Sequence, residues 1–336
     1  MLIGKLIDLR RMTMKKYDIL ALGECLVDLV CTEENGKIFM EGNPGGAPAN
    51  VLAMAAKLGK QTALISKVGQ DNFGPFLCGH VAAAGIDTDY IVMDKEHPTT
   101  LAIVKLDETG NRSFSFYRDR SADVMLSEEE LPSKAIANTK VLQFGSLSLV
   151  CDPVRTATFA ALQQAKQAGA KISYDPNWRP PLWPSVEAGC TMMLRGMEHA
   201  DYVKVSDEEI VLLTGEEDFA AGAKKLMAAY PMEFLAVTMG PKGSMVFNRT
   251  ASAFAPAYKI ECVDTTGAGD AFWGAALTYI LESEKAIADY SAEELKALAD
   301  FANAGGSLAS TKKGAIPAMP SREAMLAAVE SGERIL

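Results

Sequence analysis

The residues with the clearest capacity for chemistry lie late in the chain, at Val263–Asp264–Thr265–Thr266–Gly267–Ala268–Gly269–Asp270, running into the apolar stretch Ala271–Leu277. Two glycines and an alanine leave the backbone bare where a helix is predicted to begin. The first amide groups of a helix have no internal partner, and the helix dipole places roughly +0.5 charge there. Such a nest suits an anion, above all a phosphate. Asp270 sits at its mouth, where a carboxylate serves either as a base or as a cap of the helix. The octet alone leaves both open.

A second bare helix entrance lies early, at Gly42–Asn43–Pro44–Gly45–Gly46–Ala47–Pro48–Ala49–Asn50, ahead of a predicted helix over Val51–Leu58. Asn50 offers a donor and an acceptor near its first turn. Asp28, among apolar neighbours just past Gly23, reads either as a paired structural carboxylate or as a ligand for hydroxyls.

Regular elements must hold these residues. Apolar runs predict strands at Tyr17–Leu22, Thr62–Val68, Val141–Gly145, Lys171–Tyr174, Tyr202–Val205 and Phe234–Thr238, with helical periodicity between the later ones. Strands alternating with helices imply a mostly parallel sheet covered on both faces, with ligands at the carboxyl ends of its strands. Asp175, Ser206 and Thr238 then share one edge with the octet. Leu101–Leu106 and Arg112–Tyr117 flank the turn Asp107–Asn111 as a hairpin. The expected organisation is one α/β domain over 15–320, with strand-rich excursions near 31–43 and 99–123 and an N-terminal extension over 1–14.

A chain of 336 residues is long enough for a sizeable core, and its net charge of −10 argues against nucleic acid as a partner. Six scattered cysteines and three scattered histidines form no zinc-type cluster, and the cysteines fit a reducing compartment. No stretch approaches membrane-span length and no signal-type apolar region opens the chain, so a cytoplasmic protein without membrane contact is expected. There is no G-x-x-x-x-G-K-[ST], no G-x-G-x-x-G after the first strand and no G-x-S-x-G. These absences set aside a P-loop enzyme, a nicotinamide dehydrogenase and a serine hydrolase.

Gly45–Asn50 together with Asp264–Asp270 resembles the paired signatures of ribokinase-like, PfkB-type carbohydrate kinases. Phe116–Tyr117–Arg118 through Asp123, and Asp175–Pro176–Asn177–Trp178–Arg179 through Trp183, are similar to the fructokinase branch. The resemblance spans about 17–320. It implies a ribokinase-like α/β fold, a central mostly parallel sheet flanked by helices with a small β-rich lid.

It also implies site roles. Asp28, Gly45, Gly46 and Asn50 would hold sugar hydroxyls, and Asp270 would be the base beside an anion hole of Gly267, Ala268 and Gly269. Thr238, Gly240 and Gly243 would form the nucleotide-phosphate loop, with Asn303 near the adenine. Glu209 would help organise magnesium, and Asp264 and Thr266 would bind a monovalent cation, potassium. Ser206 stands where the family has asparagine, at the nucleotide side, and Gly145 stands where ribokinases carry a sugar-binding glutamate. Arg118 and Arg179 would meet substrate or phosphate, or pair with a surface carboxylate.

The implied activity is transfer of the γ-phosphoryl of ATP, with Mg2+, to a primary hydroxyl of a small sugar, D-fructose first. The alternatives are 2-keto-3-deoxygluconate or an aminoimidazole riboside as acceptor, and a non-catalytic sugar or nucleotide sensor on the same fold. A homodimer paired through the projecting strands is one expectation; an edge covered within one chain reads the same.

Overall fold

Strands that are apolar at every position must be covered on both faces, and this requirement organises the chain. The computed structural model describes residues 15–106 and 112–334. The expected extension over 1–14 and the turn Asp107–Asn111 lie outside the described residues.

Fourteen strands are present among the described residues. They are β1 (Tyr17–Leu22), β2 (Leu26–Glu34), β3 (Lys37–Gly45), β4 (Thr62–Gly69), β5 (Ile86–Asp87), β6 (Ile91–Asp94), β7 (Leu101–Leu106) and β8 (Arg112–Tyr117). Then follow β9 (Thr139–Gly145), β10 (Lys171–Asp175), β11 (Tyr202–Ser206), β12 (Phe234–Thr238), β13 (Ser244–Asn248) and β14 (Ser252–Ala255). The large sheet runs β14-β13-β12-β11-β10-β9-β1-β4-β5, with β6 also on β4; only the β12–β13 and β13–β14 pairs are antiparallel. β1 lies between β9 and β4, so the strand order reverses beside it. That is the switch point where open α/β sheets bind ligands.

The ribokinase-like α/β expectation therefore holds, including a separate small sheet of order β3-β2-β7-β8. Its first arm is longer than the 31–43 expected, because β2 and β3 pair in register from Leu26↔Gly45 to Glu34↔Lys37. The pairing starts immediately after Gly23 and carries Asp28 and the Gly45–Gly46 entrance at the root of the arm.

Ten helices of five residues or more cover the large sheet or flank it among the described residues. They are α1 (Ala47–Lys57), α2 (Phe73–Ala83), α3 (Ser133–Ala137), α4 (Val154–Gln167), α5 (Val186–Met197), α6 (Asp207–Thr214), α7 (Phe219–Ala229), α8 (Ala268–Glu282), α9 (Ala292–Ala309) and α10 (Arg322–Ser331). One face of the sheet packs on α1, α8 and α9; the other packs on α4 and α7.

Two contacts place the start of α8. The fully buried Trp273 donates its indole N–H to Gln143 Oε1 and Ser173 Oγ, both at 3.0 Å, which pins α8 to β9 and β10. At Gly274 the helices α1 and α8 nearly touch: a Cβ there would lie 2.6 Å from Val51 O and 2.7 Å from Met54 Cβ. Gly274→Ala should force the helices apart. We expect a loss of about 1–3 kcal/mol by chemical denaturation, the usual cost of overpacking, with a fall in activity. An unchanged midpoint would show that the contact is slack.

Candidate active site

Because α1 and α8 meet at Gly274, their N-terminal turns also meet. Asn50 Nδ2 donates to Asp270 Oδ2 at 2.8 Å, joining residues 220 apart in the chain. The helix begins at Ala268 with Gly267 before it, so Asp270 lies within the first turn and is not the cap. Gly267 is required twice over: its φ is 76°, and a Cβ would come within 2.6 Å of Ala315 Cβ. The amides of Ala268, Gly269 and Asp270 belong to the first turn and lack i−4 helical partners. The Ala268 N–H donates to Thr265 O at 3.2 Å.

Burial makes the Asp270 carboxylate costly and raises its pKa; the Asn50 hydrogen bond and the charges of Lys204 and Arg179 pull it back down. Removing Asn50 takes away a group that favours the ionised form, so the pKa should rise further. In Asn50→Ala the acid limb of the pH–rate profile should therefore move to higher pH. A limb left in place would mean that another group titrates.

Two cavities meet at this helix start. A cleft of about 730 Å³ is lined by Asp28, Gly46, Asn50, Arg179, Ser206, Glu209 and Asp270, among others. A more apolar cavity of about 540 Å³ is lined by Thr238, Gly240, Gly243, Phe272, Asn303 and their neighbours. Thr238, Thr265 and Gly269 border both. The backbone of the cleft is shaped by close approach. A Cβ on Gly45 would sit 2.2 Å from Asp28 Oδ2, and one on Gly46, with φ 113°, would sit 2.4 Å from Glu24 O. Asn50 Oδ1 is buried without a hydrogen-bond partner, as expected of an acceptor waiting for a ligand hydroxyl.

The chain has relatives among known proteins. The model of the pfkB family of carbohydrate kinases matches residues 16–322. The chain belongs to that family. Fructokinase-1 of Oryza sativa subsp. japonica is 40% identical to this kinase, covering 93% of this chain and 98% of its own. A fructokinase of Xylella fastidiosa solved with bound ATP superposes with a TM-score of 0.87 at 33% identity, over 95% of this chain and 99% of its own. A fructokinase of Vibrio cholerae O395 bound to fructose, ADP and calcium ion gives 0.84 at 32%, over 94% and 99%.

One expected residue, Arg118, sits in this kinase differently from the expectation. Arg118 does not border the cleft and does not pair with a surface carboxylate. Its Nε donates to Asp123 Oδ2 at 2.8 Å and its guanidinium to Leu147 O at 3.0 Å, with both side chains buried. Arg118, Ser121 and Asp123 turn inward while Asp119 and Arg120 stay exposed, and Thr100 and Ser121 complete the buried network.

Asp264 accepts from Thr266 N (2.8 Å), Thr266 Oγ1 (2.7 Å) and Gly314 N (3.0 Å), which fastens the loop after α9 to the octet. Asn303 donates to Ala255 O at 2.8 Å and Pro256 O at 3.4 Å while lining the apolar cavity. Ser206 caps α6: its Oγ accepts from Glu209 N at 3.1 Å, and its own N–H donates to Glu209 Oε2 at 2.7 Å. The spacing Ser206-x-x-Glu209 is that of a capping box, a signal present in the sequence itself.

Two cleft residues escaped the sequence reading. Lys204 Nζ donates to Asp175 Oδ2 at 3.0 Å, both side chains being buried, and a Cβ on Gly269 would lie 3.3 Å from the same amine. A lone lysine in the apolar strand Tyr202–Ser206 was the available signal. Glu24 accepts from Ala47 N at 3.0 Å, and burial pushes its carboxyl up to about 7 against the pull of Arg118.

Proposed function

We propose that this kinase transfers the γ-phosphoryl of ATP to a primary hydroxyl of D-fructose. The Asn50–Asp270 hydrogen bond carries the reading, because it joins the carboxylate proposed as base to the side chain proposed to orient the sugar, at the helix start where the two cavities meet. Asp28 and Asn50 Oδ1 would orient the sugar. Asp270 would accept the proton of the attacking hydroxyl as phosphorus–oxygen bond formation proceeds. The first-turn amides of α8 and the charges of Lys204 and Arg179 would meet the negative charge of the transferring group. ATP would lie with its phosphates toward Thr238, Gly240 and Gly243 and its base in the apolar cavity beside Asn303.

Among the described residues no three His, Cys, Asp or Glu side chains converge as a metal cage. Magnesium keeps several waters and binds through one or two carboxylates plus substrate phosphates. Glu209 or the neighbouring Glu208 would stand beside it, and the ion would neutralise phosphate charge. Asp264 and Thr266 are proposed to border the monovalent-cation site.

The small sheet is proposed to be the lid of a single kinase domain over 15–320, closing on the sugar to exclude water. Ile38, Phe39 and Met40 on β3 and Tyr117 on β8 are at least half exposed, which supports a second copy of this chain covering the sheet as a homodimer. Use of ATP and the free state of all six cysteines support a cytoplasmic location. No helix among the described residues is long and apolar enough to cross a membrane.

Fructose is favoured over ketodeoxygluconate and aminoimidazole ribosides by the fructokinase relatives, and over ribose by Gly145. A coupled ADP-release assay with these sugars, with and without potassium, tests the choice. Fructose should give the highest kcat/KM. A higher value for ketodeoxygluconate or a riboside would overturn the acceptor.

A further inference from the structure

The four residues after β10 are held more firmly than a connecting loop requires. Asn177 has a φ of 49°, in the left-handed region, and its N–H donates to Asp175 Oδ1 at 3.1 Å. Pro176 O accepts from Ser146 N at 3.2 Å, which ties the segment to the end of β9. Trp178 N–H donates to Glu209 Oε1 at 2.6 Å, while the other oxygen of Glu209 takes the Ser206 N–H.

The Trp178 ring lies against bare backbone. A Cβ on Gly189 of α5 would fall 2.1 Å from Trp178 Cζ3 and 2.4 Å from Cη2. On one side the ring stacks with Trp183, centroids 6.1 Å apart at 25°. The next residue is Arg179, whose Nη1 donates to Trp178 O at 2.9 Å and whose side chain borders the cleft with Asp270.

We propose that Trp178, Gly189 and Glu209 form a mount that holds Arg179 at the reacting centre, making Gly189 a positioning residue although it borders neither cavity. The inference rests on the sugar-kinase reading. An arginine assists phosphoryl transfer only if its planar fork is held in a productive orientation, and small displacements are costly. Three elements grip the segment before Arg179: the end of β9 holds Pro176, while α5 holds the Trp178 ring and α6 the Trp178 N–H through Glu209. Glu209 therefore has a duty that does not depend on magnesium, although its remaining lone pairs can still meet a metal-bound water.

The test is a double-mutant cycle on the full-length kinase with saturating ATP and the best acceptor sugar. In Gly189→Ala the new methyl must displace the Trp178 ring, and the backbone leading to Arg179 moves with it. We expect kcat to fall about tenfold or more, with KM for ATP within about threefold. In an Arg179→Ala background the same change should cost less than about twofold. Costs that multiply in full, or a Gly189→Ala protein with normal kcat, would overturn the mount.

A purely structural role would lower the melting temperature and leave the two sites uncoupled. If Gly189→Ala does not fold by circular dichroism, the same cycle is run with Trp178→Phe, and additivity there overturns the proposal equally. Normal turnover in Arg179→Ala would also sink it, while leaving the kinase reading to stand or fall with Asp270→Ala.

Discussion

Asp270→Ala is expected to lower kcat by about 10²–10⁴-fold, the usual worth of a positioned general base. Affinity for ATP should stay within a few fold, because the cavity proposed for the nucleotide is lined by Thr238, Gly240, Gly243 and Asn303 and not by Asp270. Stability supplies the control. The Asp270 carboxylate is held ionisable in a buried place at a cost, as its raised pKa indicates. Removing it should leave the melting temperature near or above that of the unmodified protein, the pattern of a residue retained for activity. A variant that melts early and turns over normally would make Asp270 a structural group instead.

Lys204→Met is expected to destabilise the fold by about 3–5 kcal/mol, since removing one partner of a buried ion pair leaves the other uncompensated. Asp175 is the group left behind, and burial already pushes its carboxyl up to about 6 despite the amine. A carboxyl whose folded pKa is raised binds protons more tightly when folded. Its contribution to stability is therefore fullest below its ordinary range and is lost as pH rises through the folded value. Without Lys204 that value climbs further, so the damage should be largest near about pH 8 and shrink toward about pH 5. Asp175→Asn added to Lys204→Met should restore a large part of the loss. Denaturation curves at both pH values decide the matter; an equal, small loss at each would mean that solvent already screens the pair.

How much of this was legible in the sequence depends on whether the informative partners were local. Bare glycines before an apolar helix left cap and site both open; the octet and the Gly45–Asn50 entrance became legible as a site because together, in this order, they resemble the paired signatures of a kinase family. The sheet could be read because apolar strands alternated with helices. The Asn50–Asp270 contact bridges 220 residues and depends on Gly274 letting two helices touch, which no local pattern announces. Lys204 and Asp175 are 29 residues apart on adjacent parallel strands, and only the strand order makes them neighbours. Arg118 lies just five residues from its partner, yet its run of polar residues resembles solvated chain; only the fold shows that Asp123 and the distant Leu147 carbonyl bury it. The first arm of that sheet was underestimated because Leu26–Val30 looks like a continuation of β1, whereas Gly23 breaks away and the strand changes sheets.

Asp270 and Asn50 are proposed to direct phosphoryl transfer to a sugar hydroxyl rather than to water. The most direct measurement follows the label from γ-labelled ATP in the presence of D-fructose, comparing the unmodified kinase with Asp270→Asn. Label should appear on a primary hydroxyl of fructose, with little released as inorganic phosphate, at a rate about 10²–10⁴-fold lower in the variant. Label reaching the sugar at an undiminished rate in Asp270→Asn, or passing mainly to water in the unmodified kinase, would contradict that role.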